Sequence, residues 1–203
     1  MISVSTKGLA NADLARLADL QVRCLPESLI SLFGHSYTRR FYRYAARSDL
    51  ETVFCARIHD TVVGGGVLSY APATLTRRLL TATPLLLWAP VIPWRAPLRR
   101  AALDMLRDKH GEMPDGVPEL LLIFTAPEVR GQGVGRAVLE RCARTVEDAG
   151  HDRYVVRTTT DPESATVKFY LAAGFRAAGR LTHAGQDFSV YEKNLSRERR
   201  ANS

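Results

Sequence analysis

Apolar positions recur at helical spacing in the first part of the chain. Leu14, Leu17, Leu20 and Val22 share one face of a helix predicted over about Ala12 to Cys24, with Asn11 placed to cap its start. Leu32, Phe33, Tyr37, Phe41 and Tyr44 continue the period over a second predicted helix, Leu29 to Arg47, and the spacing suits a place in the core, with ligand binding as the alternative. The pattern then changes. Thr52 to Ile58 and Thr61 to Tyr70 are β-rich runs separated by His59-Asp60, which reads as a hairpin turn, and Gly64, Gly65 and Gly66 inside the second run point to a bulge or a close backbone approach. Glu119 to Thr125 (ELLLIFT) is too short for a helix before Pro127 and is predicted as a buried central strand. Gly131 to Gly150 reads as a loop and an amphipathic helix, with Val134, Ala137, Val138, Cys142 and Val146 inward. Tyr154 to Thr158 is a strand, Pro162 to Ala173 a helix closed by Gly174, and Arg176 to Thr182 and Asp187 to Asn194 a last pair of strands. This order predicts an α/β fold with one mixed sheet and helices on both faces. We read one domain, residues 1–203, carrying an insertion at 71–118.

Composition narrows the class. With 46% apolar and 24% charged residues the chain is neither disordered nor collagen-like. Cys24, Cys55 and Cys142 are odd in number, scattered and without metal-ligand spacing, which suits a reducing, cytoplasmic setting without a disulfide framework. Met1 to Ala10 has no apolar stretch of the secretory kind. The net charge of +7 is concentrated in 71–118, with seven Lys/Arg against four Asp/Glu, and in 194–203. A basic balance suits nucleic acid, a membrane surface or an anionic small ligand. No helix-turn-helix, zinc-finger or aromatic RNA-reading signature is present, so no nucleic acid partner is expected.

The chemistry concentrates in Val129-Arg130-Gly131-Gln132-Gly133-Val134-Gly135-Arg136, between the apolar strand and the next helix. Alternate glycines let the backbone turn tightly and gather its N–H groups at a helix start, where the helix dipole, Arg130 and Arg136 favour an anion. A pyrophosphate is the natural guest. The loop is not a Walker A loop, which ends in Gly-Lys-Ser/Thr, nor a dinucleotide GxGxxG fingerprint.

Arg130-x-x-Gly133-x-Gly135, after a buried strand and before a helix, resembles the coenzyme A pyrophosphate loop of the GNAT superfamily of acyl-CoA-dependent N-acyltransferases. Phe169-Tyr170-Leu171-Ala172-Ala173-Gly174-Phe175 resembles that family's aromatic-Tyr-x-x-x-Gly-Phe segment. The likeness covers Glu119 to Asn194. It implies acetyl-CoA as the acyl donor, held by Arg130, Gly131, Gln132, Gly133, Val134, Gly135 and Arg136. The backbone of Ile123, Phe124 and Thr125 is implied to pair with the pantetheine arm at a bulge where the strand splays from its neighbour. Tyr170 matches the proton donor to the departing thiolate; the alternative is a packed aromatic. Acyl transfer also needs a neutral amine, and Glu119 matches a position where several members place the base that removes its proton; the alternative is a solvated strand-end charge. Glu128 is expected at the surface. Glu163 stands where many members carry an Asn that contacts the cofactor, and Thr166 where they carry Ala. The implied mechanism is direct attack in a ternary complex, because no cysteine other than Cys142 lies near either motif.

The acceptor is less constrained. His183 and Asp187, between the last two strands, are candidate substrate contacts, and the five histidines show no metal-ligand spacing, so no metal is expected. The insertion is arginine-flanked and apolar, uncharged from Leu79 to Trp94, and interrupted by Pro84, Pro90 and Pro93, too short and too broken for a spanning helix. It reads as a cap over the acceptor pocket, as an interface for a homodimer, or as a peripheral membrane contact through 77–100 with Trp88 and Trp94 at headgroup depth. Its pattern resembles members associated with bacterial surface-sugar biosynthesis, implying a small-molecule amine such as an amino sugar or its nucleotide. The alternatives are a protein or peptide N-acetyltransferase and a non-catalytic CoA-binding module.

Overall fold

The computed structural model describes residues 1–82, 116–183 and 186–196. Among them, seven strands form one mixed sheet in the order β1-β2-β3-β4-β5-β7-β6. The chain enters through β1 (Ile2–Ser5), α1 (Asn11–Cys24), α2 (Leu29–Leu32) and α3 (His35–Ala45), followed by the hairpin β2 (Glu51–Ile58) and β3 (Thr61–Ser69) and by α4 (Pro72–Ala82). The second half supplies β4 (Glu119–Thr125), α5 (Val134–Asp148), β5 (Arg153–Thr158), α6 (Ala165–Ala172), β6 (Arg176–His183) and β7 (Gln186–Asn194). Neighbouring strands are antiparallel except β4 and β5.

Each face of the sheet has its own core. On one, Leu14, Leu17 and Leu20 of α1, Phe41 and Tyr42 of α3, and Leu75 and Leu79 of α4 pack against Val53, Cys55, Val67 and Phe124. On the other, Val134, Val138, Cys142 and Val146 of α5 and Val167 and Tyr170 of α6 pack against Phe54, Leu68, Leu120 and Val156. Alternation along β2 and β3 sends successive side chains to opposite cores. Each fully buried Leu or Phe contributes about 1.5–3 kcal/mol relative to exposure.

Several local expectations shift. β1 lacks a signal of its own in the sequence; its four residues become a strand by pairing with Cys55–Ile58. The N-cap of α1 is Ala10 rather than Asn11, because the Asp13 carboxylate accepts the Ala10 N–H at 2.9 Å and starts the helix one residue earlier. The helix expected over Leu29–Arg47 is two helices, broken where Gly34 takes φ +83°. The helix expected from Pro162 starts at Ala165, where the Ser164 hydroxyl accepts the Val167 N–H at 3.2 Å. His59 and Asp60 both have positive φ, the conformation of a tight hairpin turn. At Gly65 a Cβ would sit 2.4 Å from the Phe54 carbonyl oxygen and 2.6 Å from Leu17, so the glycine run answers to close approach of α1 and β2.

Of the insertion, α4 is described, and residues 83–115, which hold most of the proposed cap, dimer or membrane surface including Trp88 and Trp94, lie outside the described residues. The lipid-facing reading loses one of its basic residues. Arg78 turns inward: its guanidinium bonds both Glu51 oxygens at 2.7 and 2.9 Å, the Tyr44 hydroxyl at 2.8 Å and the Ala71 carbonyl at 3.1 Å. Among the described residues, no helix is long and apolar enough to cross a membrane.

Candidate active site

The site begins with a defect in strand pairing. β4 pairs with β5 only at Glu119↔Val155 and Leu120↔Val156, and beyond Leu120 the two strands part. At the same point the β3–β4 register slips between Val67 and Leu68, placing Leu121 as an extra residue in β4. Leu121 and Leu122 consequently pack toward the same core, and Ile123 turns to the other. The Ala126 N–H bonds the Val63 carbonyl at 2.8 Å, which fixes the alternation of hydrogen bonds along the pair. Phe124, two residues away, therefore directs its backbone to β3, whereas Ile123 and Thr125 direct theirs to the open side. Of the three residues expected to pair with a pantetheine arm, two have the backbone direction for it. Phe124 is instead a buried side chain on the α1 side.

The open edge runs into the glycine loop. Pro127–Val129 forms a single 3₁₀ turn; Gly131 and Gly133 then adopt φ +78° and +85°, and Gly133 caps α5. The backbone N–H groups of Val134, Gly135 and Arg136 lie in the first helical turn, where no intrahelical acceptor exists, while Ala137 already bonds the Gly133 carbonyl. A Cβ on Gly135 would stand 3.1 Å from the Phe169 ring, so glycine lets this helix start approach α6 and Thr125. Val134 contributes a buried side chain to the core beneath. Arg136 is exposed and paired with Glu140 at 3.1 Å, and Arg130 Nε reaches the Thr125 carbonyl at 3.5 Å; Gln132 is exposed beside them. These features fit a pyrophosphate followed by an amide-bearing arm.

Tyr170 and Glu119 lie on opposite faces of the sheet. Tyr170 is buried among the α5 core residues, edge-on to Phe175 at 5.2 Å, and burial holds its hydroxyl well above the ordinary tyrosine range. Glu119 alternates with Leu120 and lies on the other face. It is not a solvated strand end: Glu119 is 1% exposed, its Oε1 accepts from Arg157 Nε, and its buried Oε2 has no partner among the described residues. Arg157 rises from β5 one residue beyond the last pairing with β4. Across the sheet the polar row continues through Ser69, which pairs in register with both Glu119 and Glu51 and donates to Glu51 at 3.0 Å, and ends at Arg78.

Other candidates sit further out. Glu163 is exposed, bound to Lys168 at 2.8 Å, and precedes α6. His183 and Asp187 lie at the β6–β7 hairpin, where the Thr182 hydroxyl donates to Asp187 at 2.6 Å; the His183 side chain is outside the described residues. Glu128 is exposed and paired with Arg23 at 3.0 Å, as expected of a surface residue. One cysteine is nearer than the sequence implied: the Cys24 thiol donates to the Thr125 carbonyl at 3.6 Å, because α1 ends against the end of β4. Burial raises the Cys24 thiol, against the opposing charges of Arg23 and Arg130, and burial raises Cys142 much further.

Sequence reasoning missed Arg157, Glu51, Ser69 and Arg78. The available signal was a polar residue at an inward position of an otherwise apolar strand, as in RYVVRT, which implies a buried partner without naming it.

Comparison with known proteins bears on this geometry. No protein of curated function matches the sequence significantly. Solved structures of the same fold include spermidine N-acetyltransferase from Vibrio cholerae, as a point variant (14% identity, 100% of this chain and 98% of that one, TM-score 0.63). They also include the ribosomal-protein-S18-alanine N-acetyltransferase of Escherichia coli (14%, 96% and 94%, TM-score 0.60) and an acetyltransferase from Thermus thermophilus (15%, 96% and 97%, TM-score 0.58). A sequence profile of the acetyltransferase (GNAT) family matches residues 14–175, so the chain belongs to the GNAT family and is an acyl-CoA N-acyltransferase.

Proposed function

We propose that the protein moves an acetyl group from acetyl-CoA to the primary amine of a small molecule, with an amino sugar or its nucleotide as the first acceptor class to test. The observation that carries this reading is the gap between β4 and β5, with Tyr170 on one face of the sheet and Glu119 on the other. Acetyl-CoA, when bound, supplies an acyl group on a thiolate leaving group. The first-turn N–H groups of α5, with Arg130 and Arg136, would hold its pyrophosphate, and the open backbone of Ile123 and Thr125 its amide arm. Glu119 accepts a proton from the acceptor ammonium, which makes the nitrogen lone pair available. The Tyr170 hydroxyl holds a proton for the leaving sulfur; its raised pKa keeps that proton in place at working pH.

Direct attack in a ternary complex suits the cysteines. Cys142 is buried among apolar side chains, and Cys24, although beside Thr125, is held protonated by burial, so neither is an activated nucleophile. Calorimetry with acetyl-CoA, followed by thiol release against amino sugars, aminoglycosides, polyamines and peptide N-termini, tests the reading. Folded protein that fails to bind millimolar acetyl-CoA overturns it. Binding without thiol release from any amine favours the non-catalytic module, and selective turnover of peptides favours a protein acetyltransferase.

A further inference from the structure

The Glu119–Arg157 pair is incomplete on both sides. Glu119 spends one carboxylate oxygen on Arg157 and leaves the other, buried, without a partner among the described residues. Arg157 spends only Nε. Its two terminal nitrogens have no partner among the described residues, and its side chain is 20% exposed against 2% for that of Glu119. The contrast with Arg78 on the same face is direct, because Arg78 uses Nε and both terminal nitrogens on Thr74, Glu51, Tyr44 and Ala71. An arginine kept for structure is saturated; Arg157 is not.

Its position matters as much. Arg157 is the first β5 residue past the last contact with β4, on the face that carries Glu119. The planar guanidinium is anchored through Nε, which leaves the edge formed by its terminal nitrogens to take up a carboxylate or phosphate. The charge of Glu119 is already matched by Arg157. A second ammonium, as in a polyamine, would therefore meet an unopposed guanidinium edge, whereas an acceptor carrying an amine and an anion would satisfy both orphaned groups at once. The overall charge of +7 works in the same direction.

We propose that Arg157 is a specificity-determining residue that recognises a carboxylate or phosphate on the same small molecule as the acetylated amine. This rests on the acetyltransferase reading above and narrows it from primary amines to amines with an anionic group.

The test uses the full chain, acetyl-CoA and matched pairs that differ in the anion: alanine against alaninamide, and glucosamine 6-phosphate against glucosamine. Thiol release should favour the anionic member of at least one pair by about 10- to 100-fold in kcat/KM, the range expected for a charged hydrogen-bonded contact. Preference within the alanine pair identifies a carboxylate, and within the glucosamine pair a phosphate. Arg157→Lys keeps a positive charge beside Glu119 but loses the fork, so the preference should fall at least fivefold through KM, whatever happens to the rate shared by both members. Equal turnover within both pairs by the wild-type protein overturns the inference and leaves the acetyltransferase reading standing. An Arg157→Lys variant that slows both members alike also overturns it, and marks Arg157 as a support for Glu119 alone. Failure to bind acetyl-CoA overturns the underlying reading as well.

Discussion

The two faces of the sheet meet at one gap but are built from different materials. Under α5 and α6 the walls are apolar and aromatic, and the features that suit the cofactor are backbone: left-handed Gly131 and Gly133, a glycine pressed on Phe169, and an unpaired strand edge. Under α1, α3 and α4 a polar row crosses four strands and α4, from Arg78 through Glu51, Ser69 and Glu119 to Arg157, with both carboxylates buried. Backbone recognition tolerates change in side chains, so a shared cofactor can be held by dissimilar sequences. Buried charges are unforgiving, since each must find a partner or be neutralised. The contrast separates what the two faces depend on: one on chain geometry set by neighbouring residues, the other on charged side chains far apart in sequence.

The largest effect that can break this comparison is on the charged face. Glu119→Gln should lower kcat/KM by about 10²- to 10⁴-fold, with the defect shrinking as pH rises and the acceptor supplies its own free amine. A wild-type rate and pH profile would move the base to another group. Next in size, Arg78→Met should cost about 3–5 kcal/mol of stability by urea denaturation, because it takes the guanidinium from the buried Glu51 carboxylate and leaves the neutral Ser69 hydroxyl as its donor. Adding Glu51→Gln should recover most of that loss; a double variant as unstable as the single one would show that the row is held by packing of α4 instead.

On the apolar face, Tyr170→Phe should lower kcat by about 10-fold and leave acetyl-CoA affinity unchanged, since a thiolate leaves readily and needs modest help. Because burial raises the Tyr170 pKa, its ionisation should produce no alkaline fall in rate below about pH 10. A limb in that region which vanishes in the Phe variant would contradict the burial argument.

The smallest effect lies away from the gap, at Asp13. Burial pushes its carboxyl up, but hydrogen bonds from Arg57 and the Ala10 N–H together hold it below the usual carboxylate range. A depressed folded pKa stabilises above the unfolded value, near about pH 4, and that stability is lost as pH falls through the folded pKa. Asp13→Asn should cost about 1 kcal/mol near neutral pH, with the gap from wild type closing in acid. A pH-independent difference would assign the effect to helix geometry instead.

The alternation of strand and helix from Glu119 onward, the hairpin at His59-Asp60, β4 with its two ends and the glycine turn before α5 were legible in the sequence. Each depends on neighbours along the chain: a period, a turn residue, a run of apolar side chains or a local motif. β1 was not legible, because four residues become a strand only when Cys55–Ile58 lie beside them. Nor was the approach of Cys24 to Thr125, 101 positions later. Glu119 was identified as a candidate base, but its burial and its pairing with Arg157 arise only when β4 and β5 run parallel for two residues and then part. Arg78 shows the same limit most clearly. In sequence it is half of an Arg77-Arg78 pair flanking an apolar stretch, while in the fold it closes on Glu51, 27 residues away, because α4 packs across the sheet. Periodicity fixes which face a residue occupies; only the packing of distant strands and helices decides which charge waits there.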